Sequence, residues 1–327
     1  MEELVKQFPQ LLLEGIKLSK KSVLNNSEKH IQNIVICGMG GSGFGGMLVK
    51  DWLYDKIDVP INIIQRYNIP SYVNENTLFI ASSYSGNTEE TIAATQEAID
   101  KNANVVGITS GGLLSEMCTA KKLDCIVLNP GLPPRAALPM SIVQLFYILQ
   151  EFNILKEDLL SELELASNWL ADQQTSIQLS AKKISEAVHD KHIMIYTDAQ
   201  MESIAIRARQ QLNENAKVLC THHVIPEMNH NELVGWTGGS SNYAALFLLH
   251  DQISKQNHKR FNYLEAIIHK KTENIFSFSA ENNNTIKNTL ALIYFVDFIS
   301  VEIAKIKEID ATEVEVIEGL KESLKNE

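Results

Sequence analysis

Two stretches of this chain carry the residue types that cradle phosphate, and three others carry groups that move protons. The first stretch is Ile34-Val35-Ile36-Cys37-Gly38-Met39-Gly40-Gly41-Ser42-Gly43-Phe44-Gly45-Gly46. An apolar β-branched run stops at a glycine cluster, and an amphipathic segment over 47–54 follows, which is the pattern of strand, tight turn and helix. Glycine admits positive φ and close approach of backbone to a ligand, and the N–H groups that open a helix favour an anion. The spacing Gly38-x-Gly40-x-x-Gly43 also satisfies the dinucleotide fingerprint. The next strand, Ile61-Asn62-Ile63-Ile64, however, ends in Gln65-Arg66, without the acid that would hold a ribose. A glycine turn needed only for close strand-to-helix packing stays open until a second phosphate element is found.

That second element follows Leu78-Phe79-Ile80-Ala81, a buried strand by composition that runs into Ser82-Ser83-Tyr84-Ser85-Gly86-Asn87-Thr88-Glu89-Glu90-Thr91. Hydroxyls and a glycine crowd the carboxyl end of this strand, where open α/β sheets bind ligands. Helix capping by Thr88 with Glu90 or Thr91 would account for one hydroxyl and leave Ser83 and Ser85 unexplained. Further on, Asn129-Pro130-Gly131-Leu132-Pro133-Pro134-Arg135-Ala136-Ala137-Leu138-Pro139 is a stiff, proline-rich segment with a single arginine. Arg135 is placed either to meet an anion or to sit on the surface of a linker.

Three settings could move protons. Glu214, between Asn213 and Asn215, falls where a helix should end, and an acid there faces the unfavourable end of the dipole, which marks it as a candidate general base. The stretch Thr221-His222-His223-Val224-Ile225-Pro226-Glu227-Met228-Asn229-His230-Asn231-Glu232 gathers histidines and acids. It lacks the H-E-x-x-H spacing of a zinc pair, so an acid–base histidine is expected there and no metal. Glu227 and Glu232 are the next candidates for the base. The third setting, Thr312-Glu313-Val314-Glu315-Val316-Ile317-Glu318-Gly319-Leu320-Lys321, has the pattern of a solvated amphipathic helix.

Positioning these groups requires a sheet-based scaffold. With 327 residues and 45% apolar content, the chain can bury two ordinary cores, and two domains are expected, over 1–153 and 154–327. Strands are expected at 34–37, 61–65, 77–81, 104–109 and 124–128, with helices over 88–101 and from Leu113. Residues 1–30 pattern as an amphipathic helix with Phe8, Leu11, Leu12, Ile16 and Leu18 on one side. Long helices fill 140–189, and the rhythm then restarts. A strand at 192–197, a helix at 201–212, strands at 217–220, 243–249 and 260–264, and helices at 283–307 and 312–325 complete the chain. Alternation of this kind gives an α/β fold of two doubly wound, mostly parallel sheets with flanking helices. After Tyr196 comes Thr197-Asp198-Ala199-Gln200, without a glycine cluster, so one half binds and the other completes the site.

A formal net charge of −11 with no Lys/Arg cluster argues against nucleic acid. No apolar run is long enough to span a bilayer and no basic n-region opens the chain, so a cytoplasmic protein without membrane contact is expected. Cys37, Cys118, Cys125 and Cys220 show no C-x-x-C spacing and are expected as buried free thiols, with a Cys118–Cys125 disulfide left open.

Taken in order, Gly38-Met39-Gly40-Gly41-Ser42-Gly43, Ser83-Tyr84-Ser85-Gly86-Asn87-Thr88, Pro134-Arg135, Asn213-Glu214-Asn215-Ala216-Lys217 and His230-Asn231-Glu232 resemble the bifunctional phosphoglucose/phosphomannose isomerases. That family is built from two sugar isomerase (SIS) domains of flavodoxin-like type, and the resemblance covers nearly the whole chain. It implies interconversion of glucose 6-phosphate and mannose 6-phosphate with fructose 6-phosphate, through ring opening and a cis-enediolate, in glycolysis or gluconeogenesis. It also implies a homodimer with shared active sites and no cofactor. Gly41, Ser42, Ser83, Ser85 and Thr88 would hold the 6-phosphate, and Arg135 would stabilise the enediolate. Glu214 would move the proton between C2 and C1, and His230, from the partner subunit, would assist ring opening. Lys321 matches the family's lysine near the C-terminus, although Asp310-Ala311-Thr312-Glu313-Val314-Glu315 lacks the two prolines the family often shows before it. Isomerisation needs a carboxylate over C1 and C2, a positive group at the oxyanion and an acid–base pair for the ring. The competing class is an SIS-type sensor, which would keep the phosphate loops and lose the base.

Overall fold

The apolar β-branched runs pair as parallel strands into two separate sheets, seen in a computed structural model that describes residues 1–25 and 30–325. The chain divides into two compact units, residues 7–172 and residues 1–6 with 173–327. The division falls inside one continuous helix and not at 153/154. Helix α1 (Glu2–Lys6) stops just before α2 (Phe8–Ser19), so the amphipathic pattern expected over 1–30 is broken in two. Pro9 has no N–H for the carbonyl of Val5, and its ring crowds that turn. Helix α2 ends at Ser19, and the part of that expectation on 26–29 lies outside the described residues.

The first unit holds β1 (Asn33–Cys37), α3 (Gly40–Trp52), β2 (Ile61–Ile64), β3 (Thr77–Ser82), α4 (Glu89–Asp100), β4 (Asn104–Thr109), α5 (Gly112–Lys121), β5 (Asp124–Val127), α6 (Leu138–Glu151) and the start of α7 (Leu159–Val188). All strands are parallel, in the order β2-β1-β3-β4-β5, so the winding reverses between β1 and β3. Strands β3 and β4 expose nothing, as expected of a sheet covered on both faces. Alternation along β1 sends Val35 and Cys37 into a core with Phe79, Ala94, Ala98 and Val105, while Ile36 meets α3 at Gly46. Helix α3 begins at Gly40, inside the glycine cluster, well before the amphipathic segment expected over 47–54.

The second unit holds β6 (His192–Asp198), α8 (Glu202–Ala216), β7 (Thr221–Ile225), α9 (Glu232–Gly235), β8 (Tyr243–His250), α10 (Lys255–His269), β9 (Ile275–Ala280), α11 (Thr285–Ile306) and α12 (Glu315–Lys325). Its strands are also parallel, in the order β7-β6-β8-β9, which matches four strands of the first sheet. Two expectations are corrected. Residues 217–220 are not a strand: Lys217 takes a left-handed conformation (φ 52°) that ends α8, and β7 starts only at Thr221. Residues 260–264 lie inside α10, because Ser254 caps that helix at the Asn257 N–H (3.2 Å) and Phe261, Leu264 and Ile268 are buried at helical spacing. Over five residues such spacing cannot be told from strand alternation.

All four cysteines are free thiols, and Cys125 is the only half-buried one. Among the described residues no helix is long and apolar enough to cross a membrane.

Helix α11 is buried along most of its length, as its predominantly apolar sequence requires. Of its two buried acids, Asp297 and Glu302, Asp297 receives Arg207 of α8 in a two-pronged pair, Nε to Oδ1 at 2.8 Å and Nη2 to Oδ2 at 2.6 Å, and also takes Gln211 Nε2 at 2.9 Å. Removing one partner strands the other charge out of water. The substitution Asp297→Ala is therefore expected to cost about 3–5 kcal/mol in urea unfolding. A variant as stable as the parent would show that the pair does not lock α8 onto α11.

Candidate active site

The two phosphate stretches leave adjacent parallel strands at the point where the winding reverses, which is the ligand position of open α/β sheets. Cys37 lies beside Ala81 in register, so Gly38 and Ser82 leave the sheet as neighbours. A Cβ on Gly38 would fall 2.7 Å from the Ser82 carbonyl oxygen, and one on Gly43 would fall 2.3 Å from that of Gly38. Only bare backbone fits here. Gly40 has φ +52°, and Gly41 lies against the backbone of Pro134 and Arg135, where a Cβ would meet Pro134 O at 3.1 Å. The glycine turn and the proline-rich loop are thus in contact through their main chains.

The hydroxyl loop closes on the same place. The Tyr84 N–H donates to Ser42 Oγ (3.3 Å), and the hydroxyls of Ser83 and Thr88 share a hydrogen bond at 2.9 Å. Thr88 is the N-cap residue of α4 but makes no side-chain cap, so its hydroxyl is directed into the loop instead. Gly86, at φ +70°, presses against Gly111 so closely that a Cβ would sit 1.8 Å from the Gly111 oxygen. Ser83 is buried, Ser85 exposed and Thr88 half-buried. Arg135 is 5% exposed, which rules out the plain surface arginine of a linker.

Sequence reasoning missed the residue that ties these loops together. Tyr84 donates its hydroxyl to Asn129 O (2.7 Å), accepts from the Leu132 N–H (3.1 Å), and offers its own carbonyl to Ser110 Oγ (2.6 Å). The hydroxyl loop is thereby fastened to the segment that leads to Arg135. An aromatic residue amid serines was the one local signal.

Gly41, Ser42, Ser83, Ser85, Thr88 and Arg135 are therefore gathered in one unit, while Glu214, His230 and Lys321 belong to the other. Glu214 is half-buried in the last turn of α8, which runs to Ala216, beyond the end expected at 212. Beside it, the buried Asn215 donates to Ser300 Oγ of α11 (2.9 Å). The ammonium of Lys217, the last residue of the Asn213–Lys217 motif, clasps the carbonyls of Glu214 (2.9 Å), Asp310 (3.1 Å) and Glu313 (2.7 Å). A cation at a helix C-terminus satisfies the last carbonyls, and here it also holds the segment that leads to α12. His230 is exposed at the end of a 3-10 turn, Glu227–His230, and Lys321 is exposed on α12.

The second sheet has the same switch point between β6 and β8, and its loops are filled differently. Asp198 accepts from the Gln200 N–H (3.0 Å) and Asn257 Nδ2 (2.7 Å), and Asp251 accepts from the Asn283 N–H and from Asn288 Nδ2 (2.7 Å). Carboxylates there consume loop N–H groups, so the chemistry that suits an anion in the first unit is cancelled in the second. Among the described residues, no three His, Cys, Asp or Glu groups come together as a metal site. His222 is held neutral: burial first, then the positive charges of Arg209 and His223, lower its pKa to about 4.

Comparison with known proteins gives a consistent picture. A model of the bacterial phospho-glucose isomerase C-terminal SIS domain matches residues 177–324, and a model of the SIS domain matches residues 29–129. The chain is 32% identical to a bifunctional phosphoglucose/phosphomannose isomerase of Caldicellulosiruptor bescii, over 99% of this chain and 98% of that one. It is 33% identical to a protein of the same name from Thermoplasma volcanium, over 97% and 99% of the two chains. The fold is similar to that of the C-terminal domain of glucosamine-fructose-6-phosphate aminotransferase from Francisella tularensis, with a TM-score of 0.76 at 18% identity, covering 96% of this chain and 98% of that one.

The His222 shift has a consequence for stability. Between its ordinary value of 6.5 and about 4, the folded chain binds fewer protons at this site than the unfolded chain does. Its contribution to stability is therefore complete above pH 6.5 and declines as the pH falls toward about 4. The variant His222→Gln is expected to lose stability more slowly than the parent across that window. Parallel curves of unfolding midpoint against pH would contradict the assignment.

Proposed function

Because the chain belongs to the bifunctional phosphoglucose/phosphomannose isomerase family, we propose that it interconverts glucose 6-phosphate and mannose 6-phosphate with fructose 6-phosphate. The chain is a phosphosugar isomerase. The observation that carries this function is the meeting, in one unit, of a side-chain-free glycine turn, a hydroxyl loop and a buried arginine at the carboxyl ends of β1 and β3. Such a place holds a phosphate by N–H and O–H groups, and needs neither a lysine nor a metal to do so.

In this mechanism, Gly41, Ser42, Ser83, Ser85 and Thr88 hold the 6-phosphate through backbone and hydroxyl donors, which sets the sugar chain in one direction. Arg135 meets the negative charge that grows on oxygen as the C2 proton leaves, and its burial raises the value of that charge. Glu214 takes the proton from one carbon and returns it to the other. His230 gives and takes the ring-opening proton, and Lys321 assists at the ring oxygen. No cofactor enters this proton transfer.

A homodimer with shared sites is part of this reading, supported by the division of parts: the unit that carries Glu214 and His230 has its own switch point occupied by carboxylates. We assign the enzyme to the cytoplasm, in glycolysis or gluconeogenesis. The sensor alternative has no observation in its favour, as the candidate base is present and half-buried.

The substitution Glu214→Gln preserves size and hydrogen bonding but removes the base. It is expected to lower exchange of the substrate C2 hydrogen with solvent by about a hundredfold to ten-thousandfold, with sugar phosphate still bound. Near-normal exchange would take Glu214 out of the mechanism and leave Glu227 and Glu232 as candidates. The dimer is tested separately: inactive Glu214→Gln and inactive His230→Ala chains, mixed and re-formed, are expected to regain part of the activity. Mixtures that stay dead, or a fully active monomer, would refute shared sites.

A further inference from the structure

His230 stands at the exposed end of a four-residue 3-10 turn, and the helix that follows it, α9, has no buried residue. Apolar packing reaches this segment at only a few points. On the N-terminal side the turn is anchored by Met228 and Ile225, both fully buried. On the C-terminal side Leu233 and Trp236 pack on the same core, and a polar anchor is added to them. Glu232, two residues after His230, accepts a short hydrogen bond (2.5 Å) from the hydroxyl of Tyr196, a buried residue of β6. The indole N–H of Trp236 donates to the same hydroxyl at 2.8 Å.

The direction of this chain of bonds is unambiguous. An indole nitrogen only donates, so the phenol oxygen accepts from Trp236 and its one hydrogen goes to the Glu232 carboxylate. Burial, and then the neighbouring carboxylate, push the phenol pKa upward, so the hydroxyl keeps the proton it donates. The two rings are themselves fixed, Tyr196 against Phe247 (5.7 Å between centroids) and Trp236 edge-on to Tyr243 (6.1 Å). Between His230 and Glu232, the Asn231 side chain accepts from the Glu232 N–H (2.6 Å) and donates to Glu227 Oε1 (3.0 Å), which joins the two ends of the turn. A cavity of about 230 Å³, lined by Met194, Glu232, Gly235, Trp236 and Tyr243 among others, leaves room for the segment to shift once the polar anchor is gone.

We propose that Tyr196, Trp236 and Glu232 are positioning residues that clamp the turn bearing His230, so that its imidazole is presented to the sugar ring in one geometry. This rests on His230 serving the isomerase in ring opening. The clamp touches no reacting atom. Its loss acts on the ring step alone, and leaves proton transfer between C1 and C2 untouched.

The test uses Tyr196→Phe, which keeps the ring and removes the hydroxyl, in the full-length dimer. With cyclic glucose 6-phosphate, kcat is expected to fall about tenfold or more with KM little changed, since misplacement by about 1 Å can cost up to about a hundredfold. With an aldose phosphate too short to close a ring, C2 hydrogen exchange is expected to stay within about twofold of wild type, and Tyr196→Phe added to His230→Ala to cost nothing further. Glu232→Gln retains an acceptor oxygen and most of the activity, whereas Glu232→Ala, at a half-buried site, reproduces the pattern of Tyr196→Phe even if that variant folds poorly. Amide hydrogen exchange over 227–236, measured without substrate, is expected to rise in both damaging variants. Equal loss on the cyclic and acyclic substrates, a further loss on top of His230→Ala, or unchanged amide protection would each overturn the clamp while leaving the isomerase standing. A wild-type chain that turns over neither sugar phosphate would instead remove the isomerase assignment, and the clamp's role with it.

Discussion

The guanidinium of Arg207 and the carboxylate of Asp297 meet out of water, and the half of the chain that carries Glu214 is arranged around that contact. Two charges lose their hydration there, a cost of several kcal/mol per ion. It is offset only because the geometry is two-pronged and Gln211 adds a third bond. Residues 207, 211 and 215 form one stripe of α8, and Asn215 continues it with a bond to Ser300. The stripe fixes both the rotation and the height of α8 on α11. Glu214, beside that stripe in the last turn, therefore inherits its position from a salt bridge two turns away. Lys217 then closes the helix and fastens the 310–313 segment to the same end.

In the other unit, the corresponding constraint is the absence of side chains. Gly38, Gly41, Gly43 and Gly86 each stand where a Cβ would collide with or crowd backbone, so the glycine turn, the hydroxyl loop and the proline-rich loop can meet main chain to main chain. The two sheets share one winding order, yet their switch points differ in chemistry. One presents glycines, hydroxyls and an arginine; the other seals its loops with Asp198 and Asp251. The same scaffold thus carries two different loop chemistries, which agrees with function residing in the loops and not in the fold.

Burial also decides which titratable groups are available. Cys37 and Cys220 are pushed up to about 12 by desolvation, which leaves them as inert thiols, and His222 is pushed down to about 4. In the histidine-rich stretch this separates residues that the sequence presents as equivalents: His222 is locked neutral on a strand, while His230 is set out on a turn.

By itself, the sequence determined the strands of the first sheet and the loops that carry the proposed phosphate-binding residues, because apolar alternation, a glycine cluster and a helix start all act within a few residues of one another. It also marked the end of α8 closely enough to single out Glu214, since helix termination is local chemistry. The tertiary structure alone decided what depends on distant partners. Residues 260–264 became helix because Phe261, Leu264 and Ile268 find a core that five residues cannot announce. Residues 217–220 stayed out of the sheet because Lys217 ends α8. Arg135 is buried, and its main chain lies against a glycine nearly a hundred residues earlier in the chain, whose bare backbone admits the loop. Tyr84 and Tyr196, each a lone aromatic in the sequence, became links between loops only once the fold brought their hydroxyls to partners 36 to 48 residues away. Hydrogen bonds and close packing act over a few ångströms in space, and nothing in the order of residues states which remote groups will share those ångströms.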